Sequence, residues 1–252
     1  MKQIAIQFSG GKDSTALLHR CRDILDISAV YFGDTGAVYP HMVAFVRETC
    51  AELGAELRIV KPPMGIEDYH QIAGLPADIV PVEAIHEMAT LMREQPKQLL
   101  QSNLACCNTM LWAPMYQRMV DDGIKVVLRG AKQSDAKRGV PSGTVDQFGI
   151  RYENPLWDWD DAKVFAYLDH VGAKMAPHYA EVNASFDCWL CTAYMTDAGA
   201  REKLAYTRKI YPELWPQLER RLVTVRETVE EAWAKVMPSL ADIQETNDAL
   251  AA

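Results

Sequence analysis

Three apolar strand-like runs of this 252-residue chain end directly in polar turns that contain glycine. Gln3–Phe8 runs into Ser9-Gly10-Gly11, Ser28–Phe32 into Gly33-Asp34-Thr35-Gly36, and Lys125–Arg129 into Gly130. Between them, Ser14–Leu25 sets Ala16, Leu17, Cys21, Ile24 and Leu25 at helical spacing, and His41–Leu53 repeats the pattern with Val43, Val46, Cys50 and Leu53. Leu57–Val60 reads as a further strand. Strands alternating with helices predict an α/β, Rossmann-like fold: a parallel sheet with helices on both faces and right-handed crossovers. Ligands of such sheets bind beyond the carboxyl ends of the strands. The turns at 9–14, 33–36 and 130–138 are therefore expected to meet at one edge.

Composition narrows the function classes. Apolar residues make up 49% and charged residues 24%, which supplies a core and excludes full disorder. No run of 18 apolar residues exists, so no membrane partner is expected. The N-terminal run turns polar after eight residues, too soon for a secretory core, and a cytoplasmic setting is expected. Nucleic acid stays open as an acceptor, through a local basic patch, but the balance of 26 basic and 34 acidic residues, −8, does not support it. Residues 61–105 break the repeat with Pro62, Pro63, Pro76, Pro81 and Pro96, and hold one helix-like stretch near Val82–Arg93. Residues 199–237 read as helical, interrupted near Pro212 and Pro216. The expected organisation is one domain over 1–198, with 61–105 as an insertion or lid, and a helical C-terminal extension over 199–252.

Ser9-Gly10-Gly11-Lys12-Asp13-Ser14, set between a strand and a helix, is the first chemical constellation. Glycines let the backbone approach a ligand closely. The first amides of the helix lack intrahelical partners, and the helix dipole favours an anion there. Ser9 and Ser14 add hydroxyls, and Lys12 adds a positive charge. The spacing is not the GxxxxGK[ST] of kinases. The bland alternative is a plain turn capped by Ser14 or Asp13. Asp34, Thr35 and Gly36, followed by Tyr39-Pro40, suit contact with adenine or ribose, and alone they also read as an ordinary Asp/Gly turn.

Four of the six cysteines form two tight pairs, Cys106-Cys107 and Cys188-Trp189-Leu190-Cys191, with 80 residues between the pairs (108–187). Four thiolates suit a [4Fe–4S] cubane or a tetrahedral zinc. Adjacent cysteines diverge, which a cubane with four separate iron corners tolerates better than one zinc ion. A vicinal disulfide or four buried thiols are the bland alternatives. Cys21 and Cys50 lie on apolar helical faces and read as core. His41, His70, His86, His170 and His178 share no ligand spacing and read as surface or core histidines.

Together these segments resemble the 3′-phosphoadenylyl-sulfate (PAPS) and adenylyl-sulfate (APS) reductases of the PP-loop adenine-nucleotide alpha-hydrolase superfamily. Ser9–Ser14 matches the PP-loop. Gly33–Gly36 with Pro40 is similar to the second nucleotide segment. Arg129-Gly130-Ala131-Lys132-Gln133-Ser134, then Lys137-Arg138, resembles the third, near phosphates or sulfate. Pro155-Leu156-Trp157-Asp158-Trp159 resembles the PLxDW signature, and Ser185–Thr192 the SxxCxxCT segment. The cysteine spacing resembles the cluster-bearing, APS-type branch. The resemblance implies nucleotide contacts from Ser9, Gly10, Gly11, Lys12, Asp13, Ser14, Asp34, Thr35, Gly36, Gly130, Lys132 and Arg138, with Lys12 in the catalytic role. It implies that Cys106, Cys107, Cys188 and Cys191 hold a [4Fe–4S] cluster.

Two departures redirect the expected activity. The reductases carry a C-terminal Glu-Cys-Gly-Leu-His segment whose thiolate attacks sulfur, and here no cysteine follows Cys191. The family also places an arginine and a lysine shortly after its paired cysteines, where this chain has Asn108-Thr109-Met110-Leu111-Trp112. The expectation is an enzyme that uses ATP or a related adenine nucleotide, with Mg²⁺, as an ATP pyrophosphatase or adenylyl-transfer enzyme in sulfur metabolism or sulfur transfer. The alternatives are a sulfonucleotide reductase borrowing a thiol from elsewhere, and a non-enzymatic nucleotide-gated module in a modification or defence system. A protein partner or homodimer is compatible with each.

Overall fold

The computed structural model describes residues 3–89, 91, 97–135, 141–237 and 243–244. In chain order the elements are β1 (Ile4–Gln7), α1 (Lys12–Cys21), β2 (Ile27–Gly33), α2 (Pro40–Glu52), β3 (Leu57–Val60), α3 (Ile66–Ala73), β4 (Leu75–Ala77) and α4 (His86–Ala89). There follow β5 (Leu100–Ser102), α5 (Asn103–Cys107), α6 (Ala113–Asp121), β6 (Val126–Leu128), β7 (Arg151–Glu153), α7 (Asp161–His170), α8 (Ala200–Ile210) and α9 (Trp215–Val236). A π-helical turn, Asn108–Trp112, joins α5 to α6. No helix among the described residues is long and apolar enough to cross a membrane.

The chain divides into two compact units: residues 1–65 with 107–189, and 66–106 with 190–252. Most of the segment expected as an insertion or lid, and the helices expected as a C-terminal extension, thus share the second unit.

The first unit is built on a five-stranded sheet in the order β3-β2-β1-β6-β7. Every pairing in it is parallel. Successive strands march from β1 to β3 on one side, and the chain then returns to lay β6 and β7 on the other. The order reverses between β1 and β6, which is where open α/β sheets open a binding crevice. Both faces are covered, because neighbouring residues Ala5 and Ile6 of β1 are each fully buried. One face gathers Ala5, Ala29, Tyr31 and Val127 against Met115 and Met119 of α6. The strand β7 has no signature in the sequence, because Arg-Tyr-Glu over three residues carries no apolar run.

The second unit holds the parallel pair β4-β5. Leu75, Ala77, Ala84 and Leu100 form its small core, with Val225 and Val229 of α9 packed against it. The stretch near Val82–Arg93 is a 3-10 turn, Val82–Ala84, followed by α4. Residues 90 and 92–96 fall outside the described residues.

Candidate nucleotide site and the cysteine pairs

Backbone constraints build the loop after β1 before any side chain acts. Gly10 has φ +80°, and a Cβ there would lie 2.9 Å from Met42 Cε and 3.0 Å from Val46 Cγ2. Glycine therefore lets the loop turn against α2. Gly11 O accepts from Thr15 N (2.9 Å), Ser14 Oγ (3.0 Å) and Thr15 Oγ1 (2.9 Å), which starts α1. Ser9 Oγ lies 3.2 Å from Ser14 Oγ. Lys12 N donates to Tyr179 Oη at 2.9 Å. Burial pushes the Tyr179 phenol up to about 12, despite that amide, so it stays protonated near neutral pH. A phenol oxygen thus satisfies one of the donors that a helix N-terminus offers to an anion.

The loop after β6 reaches the same place. A Cβ on Gly130 would lie 2.9 Å from Asp13 C and from Ser14 N, so a bare backbone lets the two loops touch. Lys132, with its side chain 3% exposed, then sets Nζ 2.6 Å from Asp13 Oδ1 and 3.1 Å from Asp161 Oδ1. Lys12 Nζ lies 3.1 Å from Asp13 Oδ2 and 3.3 Å from Asp161 Oδ1. Two ammonium groups and two carboxylates therefore share one site at the switch point of the sheet. Burial works against the charge on Lys12, but Asp13 and Asp161 outweigh it and raise its pKa above the ordinary lysine value. Burial likewise opposes the Asp161 carboxylate, and Lys132 and Lys12 hold its pKa below the usual carboxylate range.

The sequence alone does not mark Asp161. It is the first residue of α7, whose N-cap Asp160 accepts from Lys163 N at 2.7 Å. The Pro155–Trp159 segment leads into that helix, and Gln133 N donates to Trp157 O at 2.9 Å, tying it to the Lys132 loop. An Asp-Asp pair at a helix start after that segment was the available signal. Tyr179 gave none, being 167 residues from Lys12.

The turn after β2 uses its own groups. Asp34 Oδ1 accepts from Gly36 N at 2.9 Å, Thr35 Oγ1 accepts from Ala37 N at 3.3 Å, and Lys61 Nζ lies 3.5 Å from Asp34 Oδ2. Its place at the end of β2, beside β1, fits the expected edge. Arg138 falls outside the described residues.

None of the six cysteines is in a disulfide. Cys21 and Cys50 are buried, as core residues would be. Cys107 and Cys188 belong to the first unit, Cys106 and Cys191 to the second. In the first unit, Cys188 forms an antiparallel bridge with Val38, and Trp189 N donates to Ala37 O at 2.8 Å. The π-helical turn that follows Cys107 lays Leu111 over Gly33, where a Cβ would overlap Leu111 Cδ1. One cysteine of each pair is thus tied to the turn region after β2. In the second unit, His70 Nε2 lies 3.3 Å from Cys106 Sγ, His70 Nδ1 2.7 Å from Arg221 Nη1, and Arg221 Nη2 3.7 Å from Glu67 Oε2. Burial, with Arg221 adding to it, pushes the His70 pKa down to about 4. Among the described residues no three His, Cys, Asp or Glu side chains are grouped as ligands of a single metal ion. The donor set itself, four thiols outside any disulfide with two of them adjacent, suits the separate corners of an iron–sulfur cubane.

A parallel sheet that reverses its order beside a glycine loop opening a helix defines an α/β protein with a Rossmann-like sheet. The chain belongs to the phosphoadenosine phosphosulfate reductase domain family, whose family model matches residues 3–194. It is similar to an adenosine 5′-phosphosulfate reductase of Burkholderia cepacia, 30% identical over 89 residues. That match covers 35% of this chain and 36% of the relative, so it spans about a third of the relative's length. A crystal structure of phosphoadenylyl-sulfate (PAPS) reductase from Candida auris, a phosphate complex, shares the fold with a TM-score of 0.54 at 21% identity, covering 75% of this chain and 82% of that one.

Proposed function

We propose that the protein is an adenine-nucleotide-binding enzyme of the PAPS reductase family that uses ATP, cleaving it at the α-phosphate. The observation that carries this reading is the convergence of Lys12 and Lys132, from the loops after β1 and β6, on Asp13 and Asp161. An acceptor nucleophile attacks the α-phosphorus, and the bond to the β-bridging oxygen breaks. Its electron pair leaves on pyrophosphate, and the acceptor is adenylylated (AMP forms when water is the acceptor). Lys12, Lys132 and the loop amides stabilise charge growing on the pyrophosphate. The phosphates replace Asp161 as the partner of the lysines. Mg²⁺, held by Asp13 with Asp161 or Asp34, would neutralise the polyphosphate.

Two features favour ATP over a sulfonucleotide. Within these 252 residues no cysteine follows Cys191, so this segment supplies no thiolate at the position the reductases use. Leu111 also stands where the resemblance calls for a basic residue, and it packs on Gly33. A [4Fe–4S] cluster on Cys106, Cys107, Cys188 and Cys191 is part of the proposal. It is supported by residue type and spacing, and would supply structural support or an electron. Reduced cysteines fit a cytoplasmic setting.

Parallel incubation with labelled ATP, APS and PAPS tests the reading. ATP should be bound and converted to pyrophosphate with AMP or an adenylylated product. Sulfite release from APS or PAPS with thioredoxin, and no ATP consumption, would replace it with the reductase reading.

A further inference from the structure

Arg221 fixes the tautomer of His70. A guanidinium has only donors, so His70 Nδ1, 2.7 Å from Arg221 Nη1, must accept and carries no proton. A neutral imidazole keeps one N–H, which is therefore on Nε2, and Nε2 lies 3.3 Å from Cys106 Sγ. His70 is 3% exposed and Cys106 is 7% exposed, so water does not compete strongly for either. The Glu67 carboxylate lies 3.7 Å from Arg221 Nη2. Glu67, His70 and Cys106 come from one stretch of chain and Arg221 from α9, and all four lie within the second unit. Tyr69, the ring neighbour of His70, is committed to Gln101 through a 3.0 Å hydrogen bond.

We propose that His70 is a positioning residue for the cluster: its Nε2–H, aimed by Arg221, donates to the Cys106 thiolate and sets the reduction potential. This rests on the cluster reading above. An N–H···S bond stabilises the more electron-rich reduced cluster more than the oxidised one, so its loss makes reduction harder. His178, also fully buried, lies 3.1 Å from His41 Nε2 through Nδ1 and 3.1 Å from Ala184 O through Nε2.

The test is anaerobic redox titration of the cluster-loaded protein and its variants, with iron and sulfide counted in each. His70→Leu should keep its iron and shift the midpoint to a more negative value. His70→Gln, which retains an amide N–H near the same position, should stay close to wild type. Arg221→Met, which keeps the imidazole but frees its tautomer, covers the case in which His70→Leu does not fold, and it should also shift negative. Nitrogen-15 spectra of the histidines in the loaded protein should show the proton on Nε2 of His70. Equal shifts for His70→Leu and His70→Gln, unchanged midpoints in His70→Leu and Arg221→Met, or a proton on Nδ1, would overturn the role of His70 while leaving the cluster intact. Wild-type protein that holds no iron after reconstitution would instead overturn the cluster reading, and this inference with it.

Discussion

The Lys132 ammonium lies 2.6 Å from the Asp13 carboxylate, joining residues 119 apart in the chain. That contact closes the loop after β6 onto the loop after β1, and Lys132 is almost wholly buried in making it. Lys132→Met should weaken ATP binding by roughly 10–100-fold, because a charge-assisted hydrogen bond contributes about 1.5–3 kcal/mol. Calorimetric titration of ATP against wild type and variant would measure it. An unchanged Kd would remove Lys132 from the phosphate site.

Gly130 tests how closely the two loops must approach. A methyl group there meets the Asp13–Ser14 backbone at 2.9 Å, and backbone cannot swing aside as a flexible side chain can. Gly130→Ala should cost about 1–3 kcal/mol, a Tm fall of about 2–12 °C for a chain of this size. Nucleotide affinity should fall as well. Thermal scans with and without ATP check both, and a variant as stable and as tight as wild type would contradict the contact.

The Asp161 carboxylate gives a pH dependence with a fixed sign. Its folded-state pKa lies below the unfolded value of about 3.9, since Lys132 and Lys12 outweigh its burial. Its stabilisation is present above that value and is lost as pH falls through the folded pKa. Urea unfolding of wild type and Asp161→Asn should therefore differ at neutral pH and converge below about pH 4. Lys12 acts at the other end: its raised pKa contributes stability below about 10.4 that is lost only as pH rises through the folded value.

Leu111 and Gly33 should be energetically coupled. Gly33→Ala would drive its methyl into Leu111 Cδ1, so the single variant loses stability. Leu111→Ala opens the space, and in the double variant the alanine at 33 should cost much less. A double-mutant cycle should return an interaction energy of about 0.5–3 kcal/mol. Strict additivity would mean that the turn after β2 and the π-helical turn do not pack on each other.

Periodic segments and motifs with a mechanism were legible in the sequence, and pairings across long separations were not. The strands β1, β2 and β3 announce themselves through apolar runs that stop at polar turns. The reversal of strand order between β1 and β6 is a property of pairing, and only the glycine directly after Lys125–Arg129 hinted at it. Asp161 was hidden because an acidic helix start is ordinary, and its role comes from lysines 149 and 29 residues away. His70 reads as a surface or core histidine in the sequence, since neither Cys106 nor Arg221 is near it in the chain. The helices after residue 199 were legible, but their share in the unit that contains β4 and β5 depends on Val225 and Val229 meeting Leu75 and Leu100.

Equilibrium binding of α-labelled ATP to wild type, Lys12→Met and Arg226→Met decides whether the loop after β1 holds the nucleotide. Arg226 is an exposed residue of α9 paired with Glu230, outside the nucleotide loops. Binding should be saturable to wild type and Arg226→Met alike, with an affinity lower by roughly 10–100-fold in Lys12→Met. Equal affinity in all three proteins would contradict it.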